Sequence, residues 1–95
     1  MAGNRAAQDV VFVGKKPAMS YVLAVVTQFT EGQRTVTLKA RGMTISKAVD
    51  VAEVVRNKFI QDAKVSGISI GTEELADKNN EKVHVSTIEI TLMKV

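Results

Sequence analysis

Two short basic motifs carry most of the chemistry this sequence can offer, Gly14-Lys15-Lys16-Pro17 and Lys39-Ala40-Arg41-Gly42. The first lies between an apolar run, Val10 to Val13, and an apolar-periodic stretch that begins at Ala18. It reads as the turn from a buried strand into a helix. Pro17 suits the first helical position, where its missing N–H costs nothing, and Gly14 permits a tight turn or a close backbone approach. Two lysines are thereby held at a helix N-terminus, where free N–H groups and the helix dipole already favour an anion. No Ser or Thr follows the lysines and no second glycine precedes them at the right distance, so this is not a nucleotide-binding P-loop. Taken alone, the motif reads first as a solvated basic turn, and its meaning depends on what stands beside it.

Catalytic chemistry has thin support. His84 is the sole histidine and sits in a strand among β-branched residues, which suits a structural or solvent-facing role. Asp50 and Glu53 are three apart on one helix and close enough to hold a cation, but Lys47 and Arg56 flank them. An ion-paired helix face is the better reading. No nucleophile–base pairing is visible in sequence order. Without cysteine there is neither a disulfide framework nor a thiolate metal site. These residues point to a protein that is not an enzyme and that uses no cofactor or metal.

Composition narrows the partners. The 95 residues make one domain, and a hydrophobic fraction of 45% with 24% charged is that of a soluble globular chain. No apolar run approaches the roughly 20 residues needed to span a bilayer. The first eight residues lack the apolar core of a signal peptide, so a cytoplasmic location is expected. Net charge is +3, unevenly spread: residues 1–58 carry nine Lys/Arg against four acids, and residues 59–95 carry four lysines against six acids. A basic half suggests an anionic partner, either nucleic acid or a membrane surface.

The elements that must position the two motifs follow from periodicity. Residues 1–9 are small and polar and are expected to be flexible. Val10 to Val13 has the continuous apolar pattern of a strand buried on both faces. From Ala18 to about Thr30, the positions Met19, Val22, Leu23, Val26 and Phe29 recur at helical spacing, and Gly32 fits the residue just past the helix end. Thr35 to Arg41 alternates, with Val36, Leu38 and Ala40 on one face. Thr44 or Ser46 can cap a second helix running to about Phe59, with Ile45, Ala48, Val49, Ala52, Val55 and Phe59 inward. Val65 to Thr72 reads as a third strand, Glu73 to Glu81 as a polar connection, and Lys82 to Met93 as a long final strand. That last strand changes phase between Val85 and Ile88, which predicts a bulge or sharp twist near Ser86-Thr87.

The order βαβαββ places these motifs together. Strand–helix–strand crossovers within one sheet make the first three strands parallel in direction, and the last returns as a hairpin. Both basic turns and the hairpin tip then fall at the carboxyl edge, where open α/β sheets bind ligands. Lys15, Lys16, Lys39, Arg41 and Lys47 would form a two-part cationic surface beside the hairpin. Such a surface suits a phosphate backbone better than one small phosphate, which would call for a closed pocket.

The ordered set of motifs is itself informative. Val13-Gly14-Lys15-Lys16-Pro17, Met19 and Tyr21, Lys39-Ala40-Arg41-Gly42, Ile45-Ser46-Lys47-Ala48-Val49-Asp50, Val55-Arg56-Asn57 and Val85-Ser86-Thr87-Ile88-Glu89-Ile90 together resemble the archaeal Alba family of chromatin proteins. The likeness runs from about residue 10 to the C-terminus. It implies a single α+β domain over residues 10–95, with a mixed four-stranded sheet, two helices on one face and a protruding C-terminal β-hairpin. The C-terminal domain of bacterial translation initiation factor three has the same plan. It also implies a chromosome-associated homodimer that coats and compacts double-stranded DNA without marked sequence preference and that binds RNA. By the resemblance, Lys15, Lys16 and Arg41, with the weaker Lys47, contact nucleic acid; Lys39 and Gly42, in the same turn as Arg41, are counted with them as candidate binding residues. Phe59 would join dimers side by side on DNA, and Lys15 and Lys16 are candidate acetylation sites.

One departure stands out. The hairpin tip carries Glu73, Glu74, Asp77 and Glu81 against only Lys78 and Lys82, which leaves those two lysines as the arm's cationic candidates. Arms bearing arginine would be better minor-groove probes, so the body of the domain is the expected binding surface. Two other readings stay open: an RNA-binding or RNA-chaperone protein, and a non-enzymatic regulatory module for a phosphorylated small molecule.

Overall fold

The computed structural model describes residues 9–95. The expectation of flexibility for the N-terminal segment falls on residues 1–8, outside the described part. Asp9 itself is tied in, because its carbonyl accepts a hydrogen bond from the Thr37 N–H at 2.7 Å.

The chain forms β1 (Val10–Phe12), α1 (Ala18–Thr30), β2 (Thr35–Arg41), a 3₁₀ turn (Gly42–Thr44), α2 (Ile45–Val54), β3 (Ala63–Ala76) and β4 (Lys82–Lys94). The last turn of α2 widens into a π-helical turn over Val55–Phe59. The sheet order is β1-β2-β4-β3. β1 runs parallel to β2, while β4 is antiparallel to both β2 and β3. Strands β1, β2 and β3 therefore share a direction, as the crossover argument requires, and the final strand inserts between β2 and the edge. This is the expected α+β sandwich, with two helices over one face of a mixed sheet.

The core lies between the helices and that face. Val36, Leu38 and Ala40 of β2 point into it, as their alternation predicts, together with Ile90 and Leu92 of β4. From the helices come Val22, Val25 and Phe29 of α1, and Ala48, Val51, Ala52 and Val55 of α2. The helical stripes are narrower than their periodicity suggests and rotated from it. Met19 and Leu23 are about half exposed, as are Val49 and Phe59, all of which were expected inward. A helix over a four-stranded sheet needs only about a 100° apolar arc to cover its share, and surplus apolar residues remain at the flanks.

Four further expectations are corrected. β1 is not buried on both faces: Val11 and Val13 are buried, but Phe12 is 71% exposed, because helices cover only one side of the sheet. Pro17 is the residue just before α1 rather than its first position. Thr44 precedes α2 but makes no side-chain cap there. Its hydroxyl instead donates to the Arg41 carbonyl at 2.8 Å and accepts from the Arg41 N–H at 3.4 Å, which closes the 3₁₀ turn. The bulge is not at Ser86-Thr87 but in β3, where the register shifts between Val65 and Gly67. β4 runs through its phase change with register intact. Ile88, Ile90 and Leu92 face the helices, whereas Val83 and Val85 belong to the opposite face, beyond the helical layer. Where no helix covers the sheet, the alternation no longer tracks burial.

The hairpin arm is longer than the polar connection suggested. Pairing continues to Ala76 with Lys82, leaving Asp77 to Glu81 as the turn. The Asp77 carboxylate accepts from the N–H groups of Asn79 and Glu81, both at 2.9 Å, and Asn80 takes the left-handed conformation at φ 65°, which asparagine tolerates better than most residues. Gly32, at φ 107°, stands just past the end of α1 as expected.

Leu38 is fully buried at the centre of the sheet. Leu38→Ala should lower unfolding stability by about 2–5 kcal/mol, measured by denaturant titration, and a loss under about 1 kcal/mol would mean the core is not centred there.

Candidate functional site

The two basic turns meet through one side chain. The Lys47 ammonium, carried on the first turn of α2, donates to the carbonyls of Gly14 at 2.8 Å and Lys16 at 2.7 Å. It also lies 5.9 Å from the centre of the Tyr21 ring, in reach of a cation–π contact. The Tyr21 hydroxyl accepts the Lys16 N–H at 3.1 Å. A Cβ at Gly14 would come within 3.3 Å of that hydroxyl, so glycine allows the turn to close over the tyrosine. With its carbonyls drawn inward, the turn presents Lys15 and Lys16 to solvent. Among the described residues neither lysine makes an ion pair. The adjoining N-terminus of α1 has no side-chain cap and no acidic residue in its first turn. The Ser20 N–H is taken by the Pro17 carbonyl at 3.0 Å, which leaves the N–H groups of Ala18 and Met19 to face an anion.

The second turn differs in its electrostatics. Lys39 and Arg41 lie on the open face of the sheet, away from the helices, and each has a carboxylate partner. Lys39 is 3.6 Å from Glu89 on the neighbouring strand. Arg41 is hydrogen-bonded to Glu73 at the base of the arm. Gly42 takes φ 59° at the start of the 3₁₀ turn, a conformation a side chain would strain.

On the arm, Lys82 stands 3.9 Å from Glu74, which also approaches His84 at 3.6 Å. Lys78 lies in the hairpin turn. His84 is two-thirds exposed, in keeping with a solvent-facing role. Arg56 binds Glu53 at 2.7 and 3.3 Å, as an ion-paired helix face predicts. That hydrogen bonding, chiefly, holds the Glu53 carboxyl below its ordinary range and raises Arg56. A carboxyl depressed on folding contributes stability above its unfolded pKa and loses it as pH falls through the folded value. Both groups face solvent, so the contribution is screened.

The structure thus brings Lys15, Lys16, Lys39, Arg41, Gly42 and Lys47 to one end of the sheet, while Lys78 and Lys82 lie out along the arm. Phe59 sits half-exposed on the π-helical turn. Sequence reasoning missed the locking role of Tyr21 and the carboxylates facing Lys39 and Arg41. Their strand alternation carried a signal, but the pairing depends on β4 lying beside β2, which chain order alone does not fix.

The architecture and basic edge define a class: a small two-layer α+β domain with an anion-attracting rim and a β-hairpin arm. Comparison with known proteins makes the class specific. The family model described as Alba matches residues 9–72. A protein of Methanocella arvoryzae named DNA/RNA-binding protein Alba is 58% identical over 86 residues, 90% of each chain. A Thermoplasma acidophilum protein of the same name is 55% identical over 89 residues, covering 94% of this chain and 99% of that one. The solved structure of Alba from Thermoplasma volcanium superposes with a TM-score of 0.86 at 56% identity, covering 90% of this chain and 99% of that one. This chain belongs to the Alba family.

Removing the bridge between the turns tests their rigidity. Lys47→Met should remove two charge-assisted hydrogen bonds, one part-buried and one exposed, and cost about 1–2 kcal/mol. Hydrogen exchange should speed up at residues 14–19 while the β2–β4 ladder stays protected. Unchanged exchange across that turn would show that Lys47 does not hold it.

Proposed function

We propose that this protein binds double-stranded DNA, and RNA as well, through its basic end and with little dependence on sequence. The observation that carries the proposal is the pair of lysines left unpaired among the described residues, held by Lys47 and Tyr21 at an uncapped helix N-terminus. Lys15 and Lys16 supply cationic groups to phosphates, and the α1 N-terminus adds N–H donors. Arg41 and Lys39 extend the surface along the sheet edge. Backbone contacts of this kind position a protein on nucleic acid without reading its sequence. Lys47, whose ammonium is turned inward, acts as a positioning residue. The relatives' name, DNA/RNA-binding protein Alba, supports the same reading. Coating and compaction of chromosomal DNA would follow from such binding at high coverage, and acetylation of Lys15 or Lys16 would weaken it by removing charge.

The proposal includes a homodimer. β3 is an edge strand, and its Ile68 and Ile70, 63% and 79% exposed, project from the helix-side face beyond the helical layer. An exposed apolar edge is a hazard that proteins normally cover, and a second copy of the chain would cover this one. Two basic ends on one duplex then add their charge. Phe59 would join neighbouring dimers on DNA.

Glu73 makes the site's electrostatics testable. Its carboxylate occupies the Arg41 guanidinium in the free protein, and a phosphate must displace it. Lys16→Ala should weaken duplex binding about 3- to 10-fold at 0.1 M salt. Glu73→Gln should strengthen it by up to about 5-fold, since exposed pairs contribute at most about 1 kcal/mol. Glu81→Gln, with the same charge change and no Arg41 contact, separates local release from general charge. Gel-shift titrations read all three, and an unaltered affinity for Lys16→Ala would remove the first turn from the interface.

The dimer is tested separately. Ile68→Ser combined with Ile70→Ser should shift sedimentation from dimer to monomer without nucleic acid. Phe59→Ala should leave the dimer intact and lower the cooperativity of coating. A native chain that sediments as a monomer at every concentration would contradict the two-fold arrangement.

A further inference from the structure

We propose that the open face of the sheet carries a seat for one unpaired base of a single-stranded nucleic acid, built on Phe12. The inference rests on the nucleic-acid-binding reading above and adds a place and a strand state to it. Phe12 is the most exposed aromatic side chain of the described residues at 71%, on the face that no helix covers. The core does not need it there. Strand register puts Phe12, Lys39, Glu89 and Ser69 in one row across β1, β2, β4 and β3. In that row the Lys39 ammonium lies 5.9 Å from the centre of the Phe12 ring and 3.6 Å from Glu89. The next row holds Arg41, Thr87 and Gly71.

Phe12, Lys39, Arg41, Thr87 and Glu89 border a cleft of about 540 Å³ that also touches Gly14 and Glu73. Its size falls within the roughly 300–1,000 Å³ of small-molecule clefts. On the same face, beyond the cleft, β3 carries Gly67 and Gly71, which have no side chains to crowd a passing strand.

The chemistry matches one ligand. A base has an apolar π face and an edge of donors and acceptors. An aromatic on an open sheet face stacks against the first, and the Glu89 carboxylate accepts from an exocyclic amino group on the second. Lys39 and Arg41 stand where the flanking phosphates of the same strand would lie. A duplex cannot use this seat, because its bases are already stacked and paired. The occupant is therefore a single strand or an unpaired loop, bound beside the phosphate-binding turn and not through it.

The test uses the full chain with a single-stranded RNA of about 20 nucleotides, the matching single-stranded DNA and the matching duplex. Phe12→Ala should weaken binding of the single strands about 10-fold while altering duplex affinity by less than about 2-fold. The two single strands show whether the sugar matters to the seat. Phe12→Trp should retain single-strand affinity, and its fluorescence, from the sole tryptophan of the chain, should be quenched by the single strands and not by the duplex. Equal losses for single strand and duplex, or no loss for either, would overturn the seat. So would a change in sedimentation on Phe12→Ala, which would make this face a contact between copies. Loss of duplex binding by Lys16→Ala is read in the same titrations and bears only on the phosphate-binding turn, so either idea can fail without the other.

Discussion

The site depends on an ammonium group facing inward. Lys47 reaches from α2 to the carbonyls of Gly14 and Lys16 and so fixes the loop between β1 and α1 to the element that follows β2. Without that bond the two basic turns would be separate surface loops, each ordering its lysines at an entropic cost on binding. With it, the carbonyls are satisfied internally and Lys15 and Lys16 are directed to solvent beside the positive end of α1. Tyr21 completes the arrangement by accepting the Lys16 N–H at its hydroxyl. A cation that reads in the sequence as a weaker member of the binding surface is thus the one that holds that surface in place.

The remaining cations divide by partner. The lysine pair meets no carboxylate among the described residues, whereas Arg41, Lys39 and Lys82 each face one. This accounts for much of the acidity of the arm. Glu73 and Glu74 pair with basic side chains, and Asp77 organises the turn through backbone N–H groups. The arm is therefore close to neutral in its contacts, and its net negative charge is less a barrier to a phosphate backbone than the bare count suggests. Under the proposed function, binding at the second turn would exchange the Glu73 carboxylate for a phosphate, which would favour a polyanion able to present several phosphates together.

Much of this was legible in the chain. α1 was readable over its full length because Ala18 to Thr30 is periodic and bounded by Pro17 and Gly32, and β2 because one face of Thr35 to Arg41 is strictly apolar. The direction of the strands followed from the strand–helix–strand crossovers. What failed shares a cause: the helices cover one face of the sheet and only part of its length. Phe12 lies in an apolar run that reads as doubly buried, yet no helix covers its outer side and it stays 71% exposed. The phase change in β4 marks the point where the strand leaves the helical layer rather than a bulge, and the true bulge in β3 sits where Ser66-Gly67 gives no periodic warning. The cross-strand carboxylates at Arg41 and Lys39 required the β2–β4 pairing, a property of the folded sheet.

The rigid basic end is proposed to neutralise phosphates of a duplex without reading its bases. Measuring duplex affinity across a salt series, with several unrelated sequences, tests it most directly. Each phosphate neutralised contributes a slope of about −0.9 in log affinity against log salt. The expected result is a steep negative slope of several such units that is nearly the same for every duplex. A flat salt dependence, affinity confined to one sequence, or no duplex binding at low salt would contradict it.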